Sequence, residues 1–566
     1  MSRGYWQVHP RIPDELLSQL SGELKRTIPP IIAQLLYNRG MVTAEDIDLF
    51  MKADERLLND PSLLPDVDEA VSRTDKAIGS GEQIAIYGDF DADGITSTAL
   101  LYQGLKFLGA NVGTYIPRRS EEGYGLNNAA MLRLSKQGVG LVITTDCGVS
   151  AVSEVAEANR IGLDVIVTDH HNVPPEMPPA VAVVDPKRGD SRYPFSELAG
   201  VGVAYKFLHA LFLSHGGDGH LESYLDLVAL GTVADMVSLL GENRYLVKRG
   251  VEVLHNTERV GIIDLAKCAG IPISGADTET ISWVLAPRLN APGRLDHAGI
   301  GFRLLSTDSP EEAGRLAATL ERKNTERQRL TETLTAKAKE QIVDGARDSY
   351  LVMVGGKDFH SGVIGVVAGR LAEEFYRPVV VFERGDKWTR GSSRSIPDVS
   401  IVDALSQCSD LLYRFGGHPM AAGFTVATER LEELRERLTA IVSEQLASVD
   451  IRPRISIDAE VRLADMSGSM FRMIQRLAPF GSANPPPVFL ARNVIVDDYR
   501  CVGNNGDHLK LKVYDGRAKW DAIAFRMGNR VNELAACIDV VFNLQIDEWR
   551  GRTALQLNVV DFAPAA

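Results

Sequence analysis

Residues 84–94 read Ile84-Ala85-Ile86-Tyr87-Gly88-Asp89-Phe90-Asp91-Ala92-Asp93-Gly94, and a helical pattern follows from about Thr96 to Leu108. The leading residues form a short apolar run of the kind buried on both faces of a parallel sheet. Gly88 and Gly94 permit a tight strand-to-helix turn. The alternating aspartates would repel one another unless a cation neutralises them. The same punctuation recurs downstream. Leu141 to Thr145 runs into Asp146-Cys147-Gly148, and Val165 to Thr168 runs into Asp169-His170-His171. With Val181 to Val184, these runs alternate with helical stretches such as Val152 to Asn159. That rhythm predicts a parallel sheet in an α/β domain.

In such a sheet the C-terminal strand ends converge on one crevice, where ligands bind. Carboxylates at three of those ends are therefore expected to meet. A further acid, Asp235, follows the apolar run Leu227-Val228-Ala229-Leu230. A lone Asp after a strand is ordinarily a cap or turn residue. The D-x-D-x-D pattern also occurs in calcium loops, but the Glu that closes the Gly-x5-Glu remainder is missing here, Leu100 standing in its place. Taken together, several acids plus imidazole point to a metal site. Hard carboxylates with one or two imidazoles suit Mn²⁺ or Mg²⁺, and no thiolate set argues for structural zinc. The ligands suffice for two ions, the arrangement that activates water and clamps a phosphoryl group.

The rest of the chain divides by pattern. Its 566 residues suggest three or four domains at roughly 150 residues each. Residues 1–75 read as an N-terminal extension and 76–305 as the acid-bearing α/β domain. Ser309-Pro310-Glu311-Glu312 is a strong helix start. With no Pro or Gly between Gly314 and Gly345, a rod of about 50 Å is expected over 306–347. The stripe Leu316, Leu320, Leu330 and Leu334 among alternating charges reads as an interdomain connector. A second α/β unit spans 348–447. Residues 448–566 hold five or six short strands, which suggests a small barrel, an OB-fold foremost.

Composition is globular, with 45% hydrophobic and 24% charged residues. The net charge of −14 argues mildly against a nucleic-acid partner. Residues 451–566 differ: 15 Lys/Arg against 13 Asp/Glu give +2, while the preceding 450 residues carry 46 and 62, or −16. Lys510, Lys512, Arg517 and Lys519 fall in that region, as do Tyr514, Trp520, Phe525 and Trp549. Each aromatic alone reads as core, although strand binders stack bases on exposed aromatics. The N-terminus lacks a signal-peptide core, and no apolar stretch approaches the ~18 residues of a membrane span. Cys147, Cys268, Cys408, Cys501 and Cys537 show no C-x-x-C spacing. A cytoplasmic protein with reduced thiols and no membrane partner is expected.

Asp169-His170-His171 resembles the Asp-His-His motif that names the DHH phosphoesterase superfamily. Three more stretches bring the chain close to that superfamily's bacterial single-strand-specific exonucleases over nearly its whole length. They are the Asp89–Gly94 loop, Arg288-Leu289-Asn290-Ala291-Pro292-Gly293-Arg294, and Gly416-Gly417-His418-Pro419-Met420-Ala421-Ala422-Gly423. The resemblance implies a DHH catalytic domain, a DHH-associated domain and a nucleic-acid-binding barrel. It implies Asp91, Asp93, Asp146, His170 and Asp235 as ligands of two divalent ions, with Asp89 and His171 completing the site. Asp146, central to the set, is the expected bridge, and Asp169 an orienter of histidine. On the substrate side it implies Arg119, Arg288, Asn290, Arg294, Ser393, Arg394, Gly417 and His418. Pro117-Arg118-Arg119 departs from the usual Pro-Asn-Arg, so Arg118 is a second candidate. Ala483 stands where a glycine is common.

The residues themselves leave some of these roles open. Arg288 and Arg294 could salt-bridge acids or clamp phosphate. Gly391-Ser392-Ser393-Arg394-Ser395 could be an ordinary turn or an anion site. The activity implied is 5′→3′ degradation of single-stranded DNA to 5′-mononucleotides in recombination and repair, by a monomer. Single-stranded-DNA-binding protein and a RecQ-type helicase are the implied partners. Two rivals are a phosphodiesterase of short oligonucleotides or cyclic dinucleotides, and a non-catalytic single-strand-binding scaffold of replication.

Overall fold

The computed structural model describes residues 4–565 except 25–27, 119–121, 124, 218–219, 344–348, 504 and 550–551. Two compact units emerge. One comprises Asp60–Asp235 and Arg249–Pro453; the other comprises Gly4–Asn59, Met236–Lys248 and Arg454–Ala566.

The first unit is built on two sheets. Its first sheet has five parallel strands: β1 (Gln83–Gly88), β2 (Val112–Tyr115), β3 (Val139–Thr145), β4 (Asp164–Thr168) and β5 (Ala182–Val184). Their order is β2-β1-β3-β4-β5. The connections turn outward in opposite directions from β1 and β3, so the crevice of this sheet opens between those strand ends. Helix α1 (Ala92–Phe107) leaves the end of β1 and packs on α2 (Gly200–Ser214) and α3 (Leu225–Ala234). It is buried around most of its circumference, which explains its apolar and small residues on every side. It also starts earlier than the periodicity suggests, because Asp91 caps it.

The second sheet is mixed. Its strands are β6 (Val352–Gly356), β7 (Val379–Arg384), β8 (Trp388–Arg394), β9 (Leu412–His418) and β10 (Ala421–Ala427), ordered β9-β10-β8-β7-β6. Between the sheets in sequence lie α4 (Ala286–Leu295) and α5 (Pro310–Val343); α6 (Ser361–Phe375) follows β6. The 34 residues of α5 give about 51 Å at 1.5 Å each. The expected rod is present, but it is part of both cores rather than a bare connector. Ala313, Ala317 and Leu320 are buried in its first half, while Leu334, Ala338 and Ile342 join the core under β6 and α6.

The second unit holds a closed barrel. Phe489–Val502, His508–Tyr514, Lys519–Ala524, Arg552–Pro564 and Cys537–Trp549 pair in that order, and the last returns to the first. The N-terminal segment is no separate extension. Tyr5–Val8 pairs in parallel with Arg454–Ile457. Leu20, Leu35, Ile47 and Phe50 share one core with Phe489, Leu511 and Phe542. The expected 1–75 boundary thus moves: residues 4–59 belong with the barrel, and the helix Val67–Ser80 packs in the first unit. Residues 236–248 join the barrel as well. There Arg244 lies 3.8 Å from the Phe50 ring centroid and donates to the carbonyls of Phe50, Leu477 and Ala478.

Candidate metal centre

The first sheet delivers its acids to one place. Asp91 caps α1, accepting hydrogen bonds from Asp93 N at 3.0 Å and Gly94 N at 3.1 Å. Asp93 is buried and accepts from the first amides of α2, Gly200 N at 2.7 Å and Val201 N at 2.9 Å. A helix N-terminus favours the charged carboxylate there. Asp146 sits at the end of β3 with φ +59°, a region non-glycine residues rarely occupy. The turn is held by Asp146 N donating to Thr168 O at 3.1 Å. Asp235 arrives differently from expectation. The apolar run before it is the buried helix α3, and Asp235 is that helix's C-cap.

The ligand atoms of Asp93, His170 and Asp235 lie within 4.8 Å of one another, as do those of Asp89, Asp91 and Asp146, and those of Asp146, His170 and His171. Asp146 is the one carboxylate in two of these groups. The electrostatics follow from the crowding. Burial, then the neighbouring acids, pushes Asp93 and Asp146 well above the usual carboxylate range. Burial and Asp91 raise Asp235 to about 7. Burial and His171 lower His170 to about 3, so its imidazole is neutral.

His170 Nε2 stands 3.1 Å from Asp146 Oδ1 and 3.6 Å from Asp235 Oδ2 yet makes no hydrogen bond. A buried imidazole nitrogen facing carboxylate oxygens without a hydrogen bond fits a cation between them. The donor set, hard oxygens with imidazole, fits Mn²⁺ or Mg²⁺.

Asp169 plays another part. Its oxygens accept from Val149 N at 2.9 Å, His170 N at 2.8 Å and His171 Nδ1 at 2.7 Å. Burial opposes its charge, but these bonds and both histidines hold its pKa below the ordinary value. Burial likewise opposes charge on His171, but Asp169, Asp235 and Asp89 outweigh it and push His171 up to about 9. Cys147 is buried and its thiol is pushed up, which leaves it neutral.

The raised carboxylates carry a pH consequence. Between the unfolded pKa of about 4 and the folded value, the native metal-free chain keeps protons that the unfolded chain has released. Its stability then falls as pH rises. For Asp235 that window closes near 7; Asp93 and Asp146 are raised in the same direction and add to the effect. Thermal melts at pH 5 and pH 7.5 are expected to show Mn²⁺ raising the midpoint far more at the higher pH. A pH-independent increment would contradict protonated acids in the metal-free centre.

The expected substrate residues are less uniform. Arg119 lies outside the described residues. Asn290 Oδ1 accepts from Ala92 N at 2.7 Å, anchoring the acid loop from α4. Arg288, expected on phosphate, takes the ion-pair alternative: it holds Glu321 of α5 at 2.5 Å and donates to Val284 O. The Arg294 carbonyl abuts Gly362 at the start of α6, where an added Cβ would come within 2.0 Å of it. Ser393 is corrected by register. It is fully buried and donates to Ala422 O at 2.8 Å, whereas Ser392 shares the face of Arg394. Gly417 has φ +142°, and a Cβ there would meet Ala421 O at 2.4 Å. His418 is exposed on its strand, and partial burial, then His171 and Lys187, lower its pKa.

Asp185 and, in the barrel, Tyr499 escaped the sequence reading. Asp185 follows β5 and is pushed up to about 7 by burial and Asp169; it accepts from Lys187 N at 2.8 Å. The strand-end signal that picked out Asp146 was present there too. In the barrel, Phe525 and Tyr499 are exposed, Trp520 donates to Leu463 O, and Tyr514 donates to Gly516 O. The Trp549 side chain lies outside the described residues.

Comparison with known proteins matches family models described as DHH family, N-terminal domain (residues 83–232), DHHA1 domain (347–444) and RecJ OB domain (457–561). The chain is 38% identical to the single-stranded-DNA-specific exonuclease RecJ of Bacillus subtilis, over 99% of this chain and 71% of that one. The crystal structure of RecJ from Thermus thermophilus in complex with Mn²⁺ superposes with a TM-score of 0.86 at 30% identity, covering 100% of this chain and 80% of that one. The Mg²⁺ complex of the same protein gives 0.80 at 29%, covering 100% and 79%.

Proposed function

The chain belongs to the RecJ family of single-stranded-DNA-specific exonucleases, and from that premise we propose that it removes 5′-mononucleotides from the 5′ end of single-stranded DNA. The observation that carries the reading is the grouping of buried acids around Asp146 and His170. In this reading Asp91, Asp93, Asp146, His170 and Asp235 hold two Mn²⁺ or Mg²⁺ ions, with Asp146 shared. Bound there, such ions lower the pKa of water and neutralise a phosphoryl group.

The chain's own residues do the rest. Asp169 holds the protonated His171 ring through Nδ1, leaving the other ring N–H to donate to the substrate phosphate. Asp89 completes the anionic wall. Arg394, Gly417 and His418 receive the 5′ end from the opposite lobe, and Arg119 is assigned to the same phosphate. Asn290 and Arg288 act as positioning residues, through Ala92 and Glu321. The exposed Tyr499 and Phe525 of the barrel supply stacking surfaces for the strand. Among the described residues no helix is long and apolar enough to cross a membrane. The reading extends to a cytoplasmic monomer acting in recombination and repair with single-stranded-DNA-binding protein and a RecQ-type helicase.

The test uses 5′-labelled and 3′-labelled single strands with Mn²⁺, beside a duplex and a dinucleotide. Immediate release of labelled mononucleotide from the 5′-labelled strand alone is expected. Hydrolysis confined to the dinucleotide would favour a small-substrate phosphodiesterase, and binding without cleavage a scaffold.

A further inference from the structure

The strand after the Asp-His-His motif brings a cation to the metal centre that the reading above leaves unused. Thr168 of β4 pairs with Val184 of β5, and Asp169 N donates to Val184 O at 3.1 Å. Asp185, Pro186 and Lys187 therefore leave β5 at the level where Asp169, His170 and His171 leave β4. The turn holds Lys187 from both sides. Its own N donates to Asp185 Oδ1 at 2.8 Å, and Arg188 N donates to Asp185 O at 3.3 Å. Arg188 is itself buried, donates to Val183 O at 2.8 Å and pairs with Asp66 and Asp190. The backbone that carries Lys187 is thus fixed, while its side chain is only partly buried.

That side chain is unclaimed. Among the described residues the Lys187 ammonium makes no ion pair and no hydrogen bond. The nearest acid in sequence does not hold it, since Asp185 Oδ2 is buried and takes no hydrogen bond. Its charge reaches the centre on one side and the opposite lobe on the other. Burial is the leading influence on the pKa of His170, Asp235 and His418, and the Lys187 charge acts on all three. His170 and Asp235 belong to the metal-ligand groups, whereas His418 stands on β9. A fixed positive charge beside a cation site repels the ions that bind there. Its placement is favourable once an anion arrives between it and them.

In the nuclease reading the first nucleotide lies at Arg394, Gly417 and His418, and the phosphate that is cut lies at the metal ligands. The departing atom is the O3′ of that first nucleotide, which lies between the two. We infer that Lys187 stands at this O3′ and is the general acid that protonates it. The water oxygen forms a bond to phosphorus, and the P–O3′ bond breaks with its electron pair going to O3′. The Lys187 ammonium gives that oxygen a proton, the attacking water loses its proton to solvent, and solvent reprotonates the amine. An alkylammonium is a stronger acid than an alcohol, so the transfer is downhill. His171 serves a non-bridging oxygen instead. The inference rests on the nuclease reading and adds to it a residue on the leaving-group side.

Lys187→Met and wild type are compared in single turnovers with Mn²⁺ on two strands, one with an ordinary first linkage and one with sulfur in place of its O3′. A thiolate departs without a proton, because thiols are far stronger acids than alcohols. On the oxygen linkage the variant should lose ~10²-fold or more; on the sulfur linkage it should come within a few-fold of wild type. His171→Ala should lose equally on both. Lys187→Met should still bind two Mn²⁺, read from the free-ion electron paramagnetic resonance signal, and should bind the uncut strand in EDTA as wild type does. Lys187→Gln is the second variant of the same test. Equal losses on the two linkages, no loss on oxygen, loss of either ion, or a sulfur rescue confined to His171→Ala would overturn the role of Lys187 while wild type still cuts. A wild type that cuts neither linkage removes the nuclease reading with it.

Discussion

Asp146→Ala is expected to reduce strand cleavage by on the order of 10³-fold or more. The magnitude follows from the several kcal/mol that bound ions contribute to phosphoryl transfer, at 1.36 kcal/mol per tenfold in rate. Asp146 stands out because it is the carboxylate present in two of the three ligand groups, and its Oδ1 is the oxygen nearest His170 Nε2. Its backbone is held at φ +59° to bring the side chain there, a conformation that persists only when the surroundings fix it. Removing the side chain leaves the fold's hydrogen bond to Thr168 O in place, so the variant should fold. Turnover of a 5′-labelled strand under saturating Mn²⁺ checks the expectation. Activity within tenfold of wild type would remove Asp146 from its shared position.

Gly200→Ala is expected to cost at least ~10²-fold in cleavage although it alters no ligand. A Cβ at Gly200 would lie 2.7 Å from Asp146 Cβ and 2.8 Å from Asp146 Oδ1. Neither partner can yield freely. Asp146 is pinned by its backbone, and Gly200 N holds Asp93 Oδ2 at 2.7 Å. A displacement of about 1 Å at a reacting centre costs roughly 10²-fold. Gly202→Ala, on the same helix, is the control. Its Cβ would meet only the Leu198 side chain, at 3.3 Å, and its cleavage rate should stay within a few-fold of wild type. Equal losses in the two variants would point to general disruption of α2 instead.

The catalytic strand ends were legible because parallel strands buried on both faces are apolar throughout, so the first polar residues after each run mark its C-terminal end. Asp89, Asp91, Asp93, Asp146 and His170 were all reachable that way. Asp235 was reachable as a residue but not as a helix cap, since a fully buried helix such as α3 is as uniformly apolar as a strand. Gly200 was beyond reach, because its meaning lies in a neighbour 54 positions away in sequence. Ser393 and Ser392 could not be separated, since Trp388 to Arg394 offers no apolar alternation to fix the register. Arg288 pairs with Glu321, 33 residues on, and pattern alone does not choose between that acid and a phosphate. The N-terminal helices show apolar faces in sequence, but nothing there says that Phe489 and Phe542 lie against them.

The net charge of −14 likewise resolves by place. Part of it is the acid cluster that gathers at the centre, while Arg390, Arg394 and Arg414 gather on one sheet face.

The most direct test of the central claim is a count of Mn²⁺ bound per chain, read from the free-ion electron paramagnetic resonance signal during titration at pH 7.5. Wild type is predicted to bind two ions, and Asp146→Ala to lose high-affinity binding of both. One ion or none in the wild type, or two retained without Asp146, would contradict a two-ion centre built around that residue.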